Sequence, residues 1–288
     1  MSPLFSQETI EEAKKRIMNY SEYTKLGNLK FPDHFYVQGK GKEILFYQAQ
    51  HSHDPNHTEF QEIPKLMQEF KPDKVFVEMQ GWVNNSNAFL ARKEEVLTTD
   101  LNEIISRNSE PGFTIRTAID SGLSWNDIIS PELSHQHLGQ YLEQYGYTRD
   151  EIFFFYVIRN LGTRFYEAMS SINDQELIGN CTRFGNILNI PEHESVDLFK
   201  TLHRKLLGKD FENDKDHKNY HDITAPLPRS NGTFDYFSKM SNIASRFRDE
   251  TILEKVANVL EQNNKLMIVY GASHGVVLKP ALEYLLSK

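Results

Sequence analysis

Cysteine is almost absent from this chain of 288 residues. Cys181 stands alone, which excludes an internal disulfide framework and a cysteine-rich zinc module and fits a reducing compartment. Long apolar runs are missing too. The longest, Ile152 to Ile158 (IFFFYVI), falls far short of the ~20 residues that a membrane-spanning helix needs. The N-terminal MSPLFSQETIEEAKKRI turns charged without an apolar stretch, so no targeting segment is expected and the cytoplasm is the expected location. Basic residues are outnumbered, 32 against 40 acidic ones, and a diffuse net charge of −8 argues against nucleic acid as a partner. Walker A and GxGxxG patterns do not occur, which removes the usual signatures of phosphate cradles and dinucleotide sites. No repeat or low-complexity linker divides the chain.

Aromatic residues, by contrast, make up 12% of the chain, a load that disordered sequences lack. Three short apolar runs read as strands buried on both faces, as parallel strands are: Glu43 to Gln48, Val75 to Val77 and Leu266 to Tyr270. The first is followed by HSHDPNH, a helix over Thr58 to Phe70 and the turn KPDK, which together make a βαβ unit. Glycines 39 and 41 mark a loop or short hairpin before it, and GASHG leads from the last strand into a closing helix. The middle of the chain has helical periodicity over His135–Tyr145, Arg149–Met169, Asp174–Leu188 and Glu192–Leu207, with FTIRTA (Phe113–Ala118) as a candidate hidden strand. The expectation is a single α/β domain over 1–288, with a mainly parallel central sheet flanked by helices and a helical insertion or cap at roughly 84–247.

Three polar residues sit where the strands end: His51, Glu78 and His274. Taken singly, a histidine there is a hydrogen-bonded loop residue and a glutamate is a helix cap. Taken together they converge if the strands are neighbours, because ligands of open α/β sheets bind beyond the carboxyl ends of the strands. Two imidazoles and a carboxylate suit a divalent transition metal with open positions for water, such as Mn, Co or Zn. Gly271 and Gly275 bracket GASH and are expected to supply a sharp turn through positive φ. Asp54 and His57 are secondary candidates as ligands or partners of ligands, although Asp54 before Pro55 also suits a turn. Arg246 and Arg248, in SRFRDE, are candidates to hold a substrate carboxylate or an oxyanion, with a solvated helix face as the alternative. Arg159 and Arg164, on the aromatic helix, are uncommitted.

The combination of QAQH at residues 48–51, VFVE ending at Glu78, RFRDE and VYGASHG resembles the TraB/GumN/Tiki family, within the erythromycin-esterase-like and ChaN-like superfamily. The likeness covers roughly the first 90 and last 45 residues. GASH is a full GxxH motif, whereas Gln48 replaces the first glycine of the other one; Arg248 matches the family arginine better than Arg246, and HxxDPxH matches a subgroup pattern. The resemblance implies a divalent-metal-dependent hydrolase, with peptidase activity in one branch, ester hydrolysis in another and haem binding in some relatives.

Three functions follow as expectations. The first is a metal-dependent hydrolase of a peptide or amide, with His51, Glu78 and His274 on the metal, Glu78 as ligand or general base, and Arg248 on the substrate. The second is a metal-independent esterase with His51 as general base and Glu78 orienting it. The third is a haem or small-ligand binding protein without turnover. The expected partner is a small molecule or peptide, with neither nucleic acid nor membrane; oligomeric state is not encoded in any motif.

Overall fold

Three strands that are apolar on successive residues dictate a sheet covered on both faces. The computed structural model describes residues 3–79, 94–163, 171–228 and 235–288. Strands β1 (Asp33–Gly39), β2 (Lys42–Ala49), β3 (Lys74–Val77), β4 (Ile128–Ile129) and β5 (Lys265–Gly271) form one sheet in the order β1-β2-β5-β3-β4. Only β1 is antiparallel to its neighbour; β2, β5, β3 and β4 run parallel. The fold is thus α/β with a mainly parallel sheet. The β1–β2 hairpin pairs Gly39 with Lys42 across Lys40 (φ 53°) and Gly41 (φ 73°). Positive φ at both loop positions is what a two-residue hairpin turn requires.

The chain divides into two compact units, Met1–Ser134 with Arg248–Lys288 and His135–Phe247. In the first, helices α1 (Gln7–Lys14), α2 (Tyr20–Tyr23), α3 (Glu59–Phe70) and α4 (Leu101–Asp120) precede the last strand. Ile44, Phe46, Phe76, Leu266, Ile268 and Tyr270 join one core cluster, and Leu45, Tyr47, Val75, Val77, Met267 and Val269 another, so alternate residues of each strand face opposite layers. Burying a side chain of this size contributes about 1.5–3 kcal/mol.

The second unit contains α5 (His135–Gln144), α6 (Arg149–Thr163), α7 (Asp174–Leu188), α8 (Glu192–Leu207) and α9 (His217–Thr224). Helix α10 (Tyr236–Leu260) begins in it and passes into the sheet unit at Arg248. The apolar run on α6 is the middle of its core: Phe153, Phe154 and Phe155 are fully buried. Inside this core His203 is bonded through Nδ1 to the Lys209 carbonyl (2.7 Å) and through Nε2 to the Tyr220 hydroxyl (2.9 Å).

Two expectations change here. The helical insertion, placed at roughly 84–247, has its compact part at 135–247. Helix α4 and strand β4 lie in the sheet unit, where Ile104, Ile105, Phe113 and Ile115 pack under the sheet and Ile128 pairs with Val75. FTIRTA is helical, not a strand: Pro111 and Gly112 follow a non-helical Ser109 and open the second half of α4, and proline is tolerated in a helix's first turn. Residues 84–93 and Arg164 lie outside the described residues. Among the described residues no helix is long and apolar enough to cross a membrane.

Candidate functional site

Strand order decides which chain segments meet. β5 lies between β2 and β3, with Ala49 beside Gly271 and Val77 beside Val269. His51 comes two residues after β2, Glu78 directly after β3, and His274 three after β5, so all three rise from the same sheet edge. The two imidazoles flank one carboxylate: His51 Nε2 is 3.7 Å from Glu78 Oε2, and His274 Nε2 is 3.9 Å from Glu78 Oε1. Both distances are too long for hydrogen bonds. They are a few tenths of an ångström wider than the roughly 3.4 Å that separates two ligand atoms about a tetrahedral zinc.

The far nitrogen of each imidazole is tied to a buried acid. His51 Nδ1 is 2.7 Å from Glu110 Oε1, and His274 Nδ1 is 2.6 Å from Asp249 Oδ1. A carboxylate on Nδ1 holds the proton there and turns the Nε2 lone pair toward Glu78. His274 is buried against Tyr270, edge to face at 5.7 Å, whereas the His51 side chain keeps 48% of its surface open. The site therefore has a closed side and an open one. Among the described residues, the acids and histidines whose ligand atoms all lie within 4.8 Å of one another are His51, Glu78 and Glu110; His274, though 3.9 Å from Glu78, is not in that group.

Arg248 lies under Glu78. One terminal nitrogen donates to Glu78 Oε1 at 2.8 Å, and the guanidinium donates to Glu132 Oε1 through Nε (3.1 Å) and through that same terminal nitrogen. The arginine thus binds two of the protein's own acids, where the sequence had it reserved for substrate. Burial alone would raise the Glu78 pKa. His51, Arg248, His274 and the Gly271 N–H (2.7 Å to Oε2) outweigh it and hold Glu78 well below the usual carboxylate range. At His51 desolvation favours the neutral ring, but Glu110, by charge and hydrogen bond, and then Glu78 push its pKa up to about 10.

The glycines serve by close approach rather than by positive φ. Gly271 has φ −50°, and a Cβ on it would stand 2.5 Å from His51 Nε2 and 3.1 Å from Glu78 Oε2. Gly275 lies inside the closing helix α11 (Ala272–Ser287), and a Cβ there would stand 2.5 Å from Gln48 Cγ. The side chain of Gln48, which replaces a glycine of the expected motif, fills the space that Gly275 leaves and donates to the Ala272 carbonyl at 3.4 Å. Positive φ falls on His51 itself (58°). Buried Glu59 steadies that turn by accepting the amides of Gln50 (2.9 Å) and Ser52 (2.8 Å).

The secondary candidates are placed elsewhere. Asp54 closes a turn, its Oδ1 accepting the Asn56 amide at 3.0 Å. His57 faces Glu59 at 3.8 Å. Arg246 is half-buried on α10 and is assigned to the helical unit. The sequence reading missed Glu110 and Glu132. Glu132 lies three residues past the end of β4, a signal hidden because that strand is two residues long. A groove of about 750 Å³ lined by Met67, Lys71, Phe113 and Thr117 contains none of the site residues.

Among the described residues, Glu78 and Glu132 share the Arg248 guanidinium, while Glu110 and Asp249 are bonded to the two imidazoles. A scan against protein-family models and searches of curated proteins and of solved structures return no match.

Proposed function

We propose that the sheet unit is a divalent-metal-dependent hydrolase, with His51, Glu78 and His274 as the residues that hold the metal. The observation that carries the reading is the pair of imidazoles, each with Nδ1 bound to a carboxylate and Nε2 turned to opposite oxygens of Glu78. The donor set is the nitrogen–oxygen set that Mn, Co and Zn accept. When bound, such a cation supplies Lewis acidity toward a water and a carbonyl.

The chain's own residues have distinct parts. Glu110 and Asp249 fix the imidazoles, as acids behind metal-binding histidines do. Arg248 cancels part of the charge on Glu78 and Glu132 and holds Glu78 in place. Glu78 stands between the two Nε2 atoms and is held by Arg248 and the Gly271 N–H, which supports the part of a ligand. The open side of His51 is where a substrate approaches. A peptide or amide as the substrate class, and membership of a TraB-like group, rest on the resemblance of GASH, VFVE and RFRDE.

The metal-independent esterase would need Glu78 to orient His51, but the acid bonded to that ring is Glu110, at 2.7 Å from Nδ1, while Glu78 stands 3.7 Å from Nε2.

The test is elemental analysis of the purified protein, followed by assays on peptide and ester panels after chelation and after restoring Mn²⁺, Co²⁺ or Zn²⁺. Stoichiometric metal, activity lost on chelation and regained on loading, and loss in His274→Ala are expected. Turnover indifferent to the chelator and to His274→Ala overturns the proposal, and ester turnover in the metal-stripped protein supports the esterase instead.

A further inference from the structure

One residue of α4 adopts a backbone conformation foreign to its type. Ser109 has φ 51° and ψ −147°, a region occupied essentially by glycine, and it is buried. A serine is strained there, so its side chain must return something that glycine cannot. Its Oγ lies 2.8 Å from the Ser52 carbonyl and 2.7 Å from Glu110 Oε2, and shares its one proton between them. The Ser52 carbonyl belongs to the residue directly after His51. Glu110 Oε2 belongs to the carboxylate whose other oxygen is bonded to His51 Nδ1.

Ser109 therefore grips His51 twice, once through the main chain and once through the side chain. Such a grip has work to do. His51 has φ 58° without being glycine, and its ring is half open to solvent on a short connection between β2 and α3. Glu59 secures the amides at 50 and 52 but touches neither the Ser52 carbonyl nor Glu110 in any bond of this turn. The Glu110 carboxyl is held at both oxygens, at Oε1 by His51 Nδ1 and at Oε2 by the Ser109 hydroxyl.

We propose that Ser109 is a positioning residue of the candidate site: its hydroxyl locks Glu110 and the Ser52 carbonyl together and so aims His51 Nε2 at Glu78. The proposal deepens the metal-site reading and rests on it for its affinity readout, while a second readout stands apart from metal.

The experiment uses the full chain with Ser109→Gly and Ser109→Ala. Glycine removes the hydroxyl and relieves the backbone, whereas alanine removes the hydroxyl and keeps the strain. Zn²⁺ affinity is measured by competition with a chromophoric chelator, thermal stability by calorimetry, and the His51 Nδ1–H proton resonance in metal-free protein by NMR, assigned by its absence in His51→Asn. Ser109→Gly is expected to unfold no earlier than the parent yet to bind Zn²⁺ about 10–100-fold more weakly, the range typical of lost partners behind a ligand. Its Nδ1–H resonance is expected to broaden through faster exchange. Affinity within twofold of the parent with an unchanged resonance overturns the proposal. Normal behaviour of the glycine variant beside a defective alanine variant also overturns it, because backbone strain would then be the cause. If the parent protein takes up no metal, the metal reading fails, and the resonance alone decides: loss in both variants sustains the positioning role and persistence ends it.

Discussion

Replacing Gly271 by alanine separates the site from the fold. The added Cβ would stand 2.5 Å from His51 Nε2 and 3.1 Å from Glu78 Oε2. Ordinary contact begins near 3.5 Å, so the ring must retreat by about 1 Å, and the Glu78 oxygen by a few tenths of an ångström. The ring can do so cheaply, since the His51 side chain is 48% exposed and at the end of its own rotamer. The backbone cost is small as well, because φ −50° and ψ 140° suit alanine. Stability is therefore expected to fall by no more than about 1–2 kcal/mol, at the low end for overpacking. Metal sites, however, need their ligands within about 0.5 Å of the working geometry. A 1 Å retreat predicts Zn²⁺ binding weaker by about 100-fold, the scale of loss that a misplacement of that size produces. Chelator competition measures the affinity and urea unfolding the stability. An alanine variant that binds Zn²⁺ as tightly as the parent would refute the reasoning, since His51 Nε2 could not then be a ligand.

Other perturbations test the surroundings. Arg248→Met strips Glu78 and Glu132 of their buried cation and is expected to cost about 3–5 kcal/mol in urea unfolding; a loss below about 1 kcal/mol would mean that the acids do not depend on it. Gly275→Ala drives a Cβ to 2.5 Å from Gln48 Cγ and 2.9 Å from Phe46 Cε1, so a loss of about 1–3 kcal/mol is expected. Gln48→Ala should restore part of it, and strict additivity in the double-mutant cycle would count against this contact. In metal-free protein His51 is expected to titrate near 10 by NMR. Because the folded pKa is the raised one, its contribution to stability is complete below about 6.5, the unfolded value, and is lost as pH climbs through 10. A midpoint near 6.5 would show that Glu110 and Glu78 do not hold the proton.

The strands and their ends were legible because each core strand is a run of apolar residues with one polar residue at its close. Helices α7 and α8 carry their bounds in the chain, Asn173 capping the first and Gly208 stopping the second. What local pattern does not carry is partnership across the fold. Glu110 reads as part of a turn, SEPG, and its bond to His51 depends on α4 passing beneath β2's exit. Asp249 reads as one charge in a solvated run, yet it is buried on His274. The role expected of Arg248 changed for the same reason: a guanidinium aimed at a carboxylate-lined crevice is taken first by the acids nearest to it. FTIRTA misled because its threonines and its isoleucine favour strands, whereas Pro111 and Gly112 set the backbone course ahead of them.

The placement of β5 between β2 and β3 has a consequence for biogenesis. As the chain leaves the ribosome, its early strands must wait with a strand-wide slot between them until the entire helical unit has been synthesised. During that wait two strand edges offer unpaired amides and carbonyls to any passing polypeptide. Nascent chains stalled before Lys265 should therefore be both inert and adhesive, and release of the last strand should abolish both properties in a single step.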